Sequence, residues 1–270
     1  MLRRWCIPLT TLALVVGSML AAGSAEAGTT AQRPSSSHAV TPGGMMVRPA
    51  GHAAGPSARG VRRQVESTNW SGYAVTGGSG AFHSISASWV EPTGICPTRG
   101  KAQYSSFWVG LDGFNSNSVE QTGTDVDCSH RTPVYYGWFE MFPAAPVNYP
   151  NTVRPGDHFS ASVTFSGSST YTLVLTDSTR GWTHTTTKSQ TGLTRSSAEV
   201  ITEAPSSAGG VLPLADFGTV NYSTSAANGT SMGTQSPTKI IMVDSKGLPK
   251  DSTSAISTSG AFSNTWIRSN

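Results

Sequence analysis

The pentapeptide Gly229-Thr230-Ser231-Met232-Gly233 has the G-x-S-x-G spacing that can present a serine nucleophile. Such a serine works only with a base and an orienting carboxylate, on a strand–turn–helix elbow. The chain has neither an Asp-(Ser/Thr)-Gly nor a His-Gly-Thr segment to supply those partners. In a chain this rich in Ser, Thr and Gly, the match reads as chance. Asp-Thr-Gly and Asp-Ser-Gly are both absent, which removes a pair of matched catalytic aspartates. H-E-x-x-H is also absent and the six histidines are scattered, so no metal site is expected. There is no phosphate-cradling glycine loop, and no cofactor is expected.

The remaining candidates are carboxylates and tryptophans that fall together when period-two alternation is applied. In Ser106 to Asp112, Trp108 and Asp112 share a face opposite Phe107, Val109 and Leu111. In Tyr135 to Pro143, Trp138, Glu140 and Phe142 share a face. In Ser196 to Glu203, Glu199, Ile201 and Glu203 do so, opposite Ala198 and Val200. Any one of these runs reads as an ordinary solvated face. Three together point to a wet, aromatic-lined cleft.

Residues in that pattern must be positioned by strands. The charged fraction is 12%, about half the usual share, and apolar residues rarely recur at helical spacing. Short alternating runs dominate: Ile85, Ala87 and Trp89 in Phe82 to Val90, Val163 with Phe165, and Tyr171, Leu173 and Leu175. Ile240 to Val243 is continuously apolar, as suits a strand covered on both faces. Turns such as Thr76-Gly77-Gly78 and Ser166-Gly167-Ser168 separate the runs. The expected fold is an all-β antiparallel sandwich or barrel spanning residues 66–270.

Residues 1–27 read as a signal peptide. Arg3 and Arg4 lead, Ile7 to Leu20 is apolar, and Ala25-Glu26-Ala27 offers an A-x-A cleavage site. The apolar run is shorter than the roughly 20 residues a membrane span needs, so the chain is expected to be secreted and extracellular. Residues 28–65 are rich in Ala, Gly, Pro and Ser without apolar periodicity, and read as a disordered pro-segment or linker. Through Val65, seven Arg and one Glu give +6; from Glu66 onward, 11 basic and 14 acidic residues give −3. A basic leader ahead of an acidic domain can dock electrostatically and be released in acid, which makes the pro-segment a candidate inhibitor. The same acidic balance argues against nucleic acid as a partner. Once Cys6 leaves with the signal, Cys96 and Cys128 remain, and two cysteines outside the cell most simply form one disulfide.

Several segments, taken in order, resemble a known family. They are Ser67-Thr68-Asn69-Trp70-Ser71-Gly72-Tyr73, Phe107-Trp108-Val109-Gly110-Leu111-Asp112-Gly113 and Glu120-Gln121-Thr122-Gly123. Gly137-Trp138-Phe139-Glu140-Met141-Phe142-Pro143, Ala198-Glu199-Val200-Ile201-Thr202-Glu203 and Leu214-Ala215-Asp216-Phe217-Gly218 follow. In this order and spacing they look like the glutamic peptidases, the eqolisin family. The resemblance implies a two-sheet, concanavalin-like β-sandwich and a Gln/Glu catalytic dyad. Carried over, the glutamine is Gln121 and the glutamate is Glu203. Periodicity alone leaves Glu199 and Glu203 level; the motif register selects Glu203. The motif tryptophans fall on Trp70 and Trp108, the supporting acids on Asp112 and Glu140, with Trp138 and Glu199 sharing the cleft faces. Phe139 stands where the family often has tyrosine, and Thr202 where it has an apolar residue.

The implied function is a secreted, acid-active endopeptidase acting on proteins or peptides as a monomer. A glutamate near pKa 4.3 stays partly ionised in acid where a histidine is protonated, and an amide donates to an oxyanion at any pH. The competing reading is a non-catalytic carbohydrate- or peptide-binding sandwich, because exposed tryptophans on a sheet also suit sugar stacking.

Overall fold

The computed structural model describes residues 64–114, 116–129, 131–207 and 209–270. The expected signal peptide and the pro-segment through residue 63 lie outside the described residues. The first strand starts at Gln64, two residues ahead of the expected domain start. From the amino end the strands are β1 (Gln64–Ser67), β2 (Trp70–Thr76), β3 (Ser84–Val90), β4 (Gln103–Leu111), β5 (Val119–Cys128) and β6 (Val134–Phe142). Next come β7 (Val147–Asn148), β8 (His158–Phe165), β9 (Thr170–Asp177), β10 (Trp182–Ser189), β11 (Ser197–Glu203) and β12 (Ser206–Ser207). The last are β13 (Gly210–Val211), β14 (Thr219–Ala227), β15 (Thr230–Ser231), β16 (Thr238–Met242), β17 (Asp251–Thr253) and β18 (Phe262–Trp266).

Two large sheets form the body. The first runs β1-β16-β2-β11-β4-β5-β6-β7 and the second β10-β9-β8-β3-β14-β18-β17. Pairing is antiparallel throughout both sheets except between β1 and β16, which run parallel. Alternation explains how the sheets stack. Tyr171, Leu173 and Leu175 of β9 point inward and are buried, while Thr172, Val174 and Thr176 between them are half-buried. Tyr73, Phe107, Val109 and Val200 of the first sheet join Ile85, Trp89, Val163 and Leu173 of the second in one core. Within it Trp89 stacks on Phe159 at 5.9 Å. Burying one such side chain stabilises the fold by about 1.5–3 kcal/mol, and truncating Leu173 to Ala should cost about 2–5 kcal/mol. The run at Ile240 lies inside the first sheet, between β1 and β2. Its burial alternates rather than being complete on both faces: Thr238, Ile240 and Met242 are buried while Lys239 and Ile241 are half-buried, with Ile240 among the tryptophans and Met242 in the core between the sheets.

Cys96 and Cys128 are bonded, with Cα atoms 5.2 Å apart, tying the approach to β4 to the end of β5. Closing a loop of this length restricts the unfolded chain by about 3–4 kcal/mol. Asp112 differs from its expected place. The strand ends at Leu111 and Asp112 takes φ 66°, so alternation does not extend to it. Its carboxylate instead accepts from Thr194 Oγ1 (2.6 Å), Arg195 N (2.7 Å) and Ser196 N (2.9 Å), capping the segment that crosses from β10 to β11.

Candidate active site

The outer face of the first sheet carries a second apolar cluster made of Trp70, Ala74, Trp108, Val119, Trp138, Ile201 and Ile240. Small residues make room for the indoles. A Cβ on Gly123 would stand 2.1 Å from Phe107 O and 2.6 Å from Trp108 Cβ, so only glycine fits beside that tryptophan. Trp70 meets Trp108 edge-on with ring centroids 4.9 Å apart. Half-buried Val65, Phe114, Tyr136 and Phe142 pack around the cluster as a rim.

Glu203, the last residue of β11, lies opposite Trp70 of β2 and Ser106 of β4. Its Oε2 accepts from Trp108 Nε1 at 2.9 Å and its Oε1 from Asn69 Nδ2 at 3.2 Å. Gln121 of β5 lies opposite Gly110 on one side and Glu140 of β6 on the other. Gln121 Nε2 donates to Glu140 Oε2 at 2.6 Å. Burial, then the charge of Glu203, pushes the Glu140 carboxyl up to about 9, so it is neutral throughout the acid range. In ladder register Glu203 is level with Ser106 and Asp125, whereas Gln121 is level with Gly110 and Glu199. Trp108 stands in the row between them.

The reading of a solvated face or wet cleft needs correction. Trp70, Trp108, Trp138, Gln121, Glu140, Glu199 and Glu203 are all buried, none more than 3% exposed. Some of the polar atoms on this face find partners in one another. Two acids that alternation did not single out complete it. Asp125 accepts from Trp138 Nε1 at 2.6 Å, and Tyr136 OH reaches both Asp125 (3.0 Å) and Asp127 (2.8 Å). Burial first, then Asp127, raises the Asp125 carboxyl well above its usual range. Both acids follow Gln121 at i+4 and i+6, a period-two signal present in the sequence. Asn69, in the turn before β2, was visible only as part of a motif.

Glu199 shares the face with Glu203 but sits in different company. Burial raises its carboxyl well above the usual range, and the neighbouring charges are Asp112 and Glu120. Thr202 and Phe139, the two departures from the family pattern, both turn inward, away from Glu203 and Gln121. Thr202 Oγ1 takes a hydrogen bond from Asn264 Nδ2 (2.8 Å) and lies 3.1 Å from Tyr222 OH. Phe139 packs against Tyr149 in the core. Ser231 of the G-x-S-x-G match caps a single 3-10 turn, its hydroxyl accepting from Gly233 N, and no histidine or carboxylate bonds to it among the described residues. No group of three or more metal-ligating side chains occurs among the described residues.

Two stacked antiparallel sheets with a glutamate, a glutamine and three tryptophans on one outer face define the glutamic type of endopeptidase. The chain belongs to the Peptidase A4 family, whose model matches residues 68–266. Aspergillopepsin-2 of Aspergillus niger is 26% identical over 198 residues, covering 64% of this chain and 70% of its own. Scytalido-glutamic peptidase, solved with a transition state analog inhibitor, has the same fold: TM-score 0.63 at 22% identity, over 74% of this chain and 98% of that one. Aspergilloglutamic peptidase from Aspergillus niger gives TM-score 0.55 at 24% identity, over 61% and 99%. Family membership makes the protein a peptidase acting on proteins or peptides, and sets aside the non-catalytic sugar-binding reading.

Proposed function

We propose that the protein is a secreted, acid-active endopeptidase in which Glu203 is the general base and Gln121 the oxyanion donor. The observation that carries this reading is the setting of Glu203: each carboxylate oxygen accepts from a group that can only donate, Trp108 Nε1 and Asn69 Nδ2. Such contacts favour the ionised form, which a base needs. At Glu199 burial outweighs the hydrogen bonds from Ser197 and the Phe114 backbone and raises the carboxyl well above its usual range.

Glu203 takes a proton from water as the water oxygen attacks the scissile carbonyl, then returns it to the leaving amine. An amide nitrogen has two hydrogens. Glu140 accepts from Gln121 Nε2 and so orients the amide, whose N–H group donates to the developing oxyanion. Because Glu140 is uncharged in acid, it orients Gln121 without adding a second negative charge beside Glu203. Substrate enters past Phe114, Tyr136 and Phe142. Secretion follows from the leader, and the +5 that residues 28–65 keep after signal removal, against the −3 of the remainder, suits a pro-segment that inhibits at neutral pH and lets go in acid. The mature protein acts as a monomer.

The test is incubation of purified protein with denatured casein between pH 2 and 5, beside Glu203→Gln and Gln121→Ala. Cleavage by wild type with severe loss in both variants is expected. An inert wild type would end the peptidase mechanism, and an undiminished Glu203→Gln would move the base to another carboxylate.

A further inference from the structure

Asn69 is fully buried and touches the carboxylate on which the reaction depends. Its orientation is fixed by a chain of obligate donors and acceptors. Ser67 Oγ accepts from two backbone groups, Asn69 N at 3.3 Å and Trp70 N at 3.1 Å. Neither backbone N–H can do anything but donate, so the hydroxyl proton of Ser67 is left for Asn69 Oδ1, 3.1 Å away. With Oδ1 thus occupied as acceptor, the other end of the amide must present its hydrogens to Glu203 Oε1. The backbone holds the same arrangement, since Ala204 N, just past Glu203, donates to Asn69 O at 2.8 Å.

We propose that Asn69, locked by Ser67, is a positioning residue that fixes Glu203 as a proton-free carboxylate with Oε1 and Oε2 each aimed by a donor. The inference rests on the reading of Glu203 as the base. On Oε1 a proton would face the Asn69 amide hydrogens, and on Oε2 the Trp108 indole hydrogen, so protonation at either oxygen forfeits a hydrogen bond. The titratable groups around Glu203 are mostly carboxyls that burial holds protonated in acid. Glu140 faces it from β6, with Asp125 of β5 acting on Glu140 in turn. On its own strand, Glu199 answers to Asp112 and Glu120, and beyond β2 Lys239 acts on Asp251. In a neighbourhood of carboxyls, these two neutral N–H donors favour the ionised form of Glu203.

The measurement is the pH profile of kcat/KM on a peptide substrate, with folding checked by circular dichroism. Asn69→Ala should move the acid limb up by about one pH unit, equal to about a tenfold loss on the acid side, with KM and the alkaline limb unchanged. Ser67→Ala should move it the same way by less, and Ser67→Thr, which keeps the hydroxyl, should restore it. A merely structural role would lower activity evenly or melt the protein without moving the limb. If Asn69→Ala does not fold, a carbon-13 titration of the glutamate carboxyls in Ser67→Ala reads the same shift directly. An acid limb unmoved in both variants of an active enzyme overturns the inference alone. An undiminished Glu203→Gln overturns the reading beneath it.

Discussion

On the outside of the second sheet, β3 presents Ser84, Ser86 and Ser88, β8 presents Ser160 and Ser162, and β10 presents Thr183, Thr185 and Thr187, all half-buried or exposed. On the outside of the first sheet, β2, β4, β6 and β11 present Trp70, Trp108, Trp138, Glu140 and Glu203, all buried. The alternation is the same in both. Hydroxyls facing water cost a fold almost nothing, whereas a carboxyl taken out of water costs several kcal/mol unless partners or a proton compensate. Most of the strongly raised carboxyls belong to the first sheet: buried Glu120, Asp125, Glu140 and Glu199, and half-buried Asp127. A sheet that tolerates so many is organised around chemistry, and its neighbour around solvation.

The contrast can be broken most sharply at the base. Glu203→Gln should lower kcat/KM in acid by about 10³–10⁴-fold, while Glu199→Gln should stay within a few-fold. The reverse ranking would exchange their roles. Gln121→Ala should cost about 10²–10³-fold in kcat, and because an amide does not titrate the pH profile should keep its shape. Stability should separate the sheets next. The folded state holds protons on Glu120 and Glu140 up to about pH 9 and on Asp127 up to about 7, which the unfolded chain releases near 4.5 for the glutamates and near 3.8 for the aspartate. Each group's stabilising proton is fully in place below that value and lost as pH rises through the folded one, at up to about 1.4 kcal/mol per pH unit. The melting temperature should therefore fall from pH 4 to pH 8, and Glu120→Gln should flatten the fall; a flat wild-type profile would contradict it. Smallest of all, Ser162→Ala and Thr185→Ala on the second sheet should leave activity unchanged and stability within about 0.5 kcal/mol.

Much of this was legible beforehand because period-two alternation is a local signal. It placed Ile85, Ala87 and Trp89 inward and put Trp138 with Glu140 and Glu199 with Glu203. It failed at Asp112, where a left-handed residue ends the strand, and no alternation rule foresees that. Nor could it tell a wet face from a buried one, since the rim of Val65, Phe114, Tyr136 and Phe142 comes from strands and loops far apart in sequence. Asn69 was hidden for a related reason: its contact with Glu203 spans 134 positions. Sequence resemblance supplied the register that chose between two glutamates; the indole and amide donors on Glu203 support the proposal that keeps that choice.

In β5 the amide donor and a carboxyl are neighbours, Glu120 and Gln121, facing opposite sides of the sheet. A slip of β5 by one residue against β4 would seat the glutamate where the glutamine stands, putting a titrating group in place of one that never titrates. The strand's last residue is Cys128, opposite Gln103 and bonded to Cys96. The same slip would carry its sulfur to the far face, out of reach of its partner. The bridge thus works as a ruler for β5: beyond any stability it adds, it determines which of two adjacent letters is read at the site.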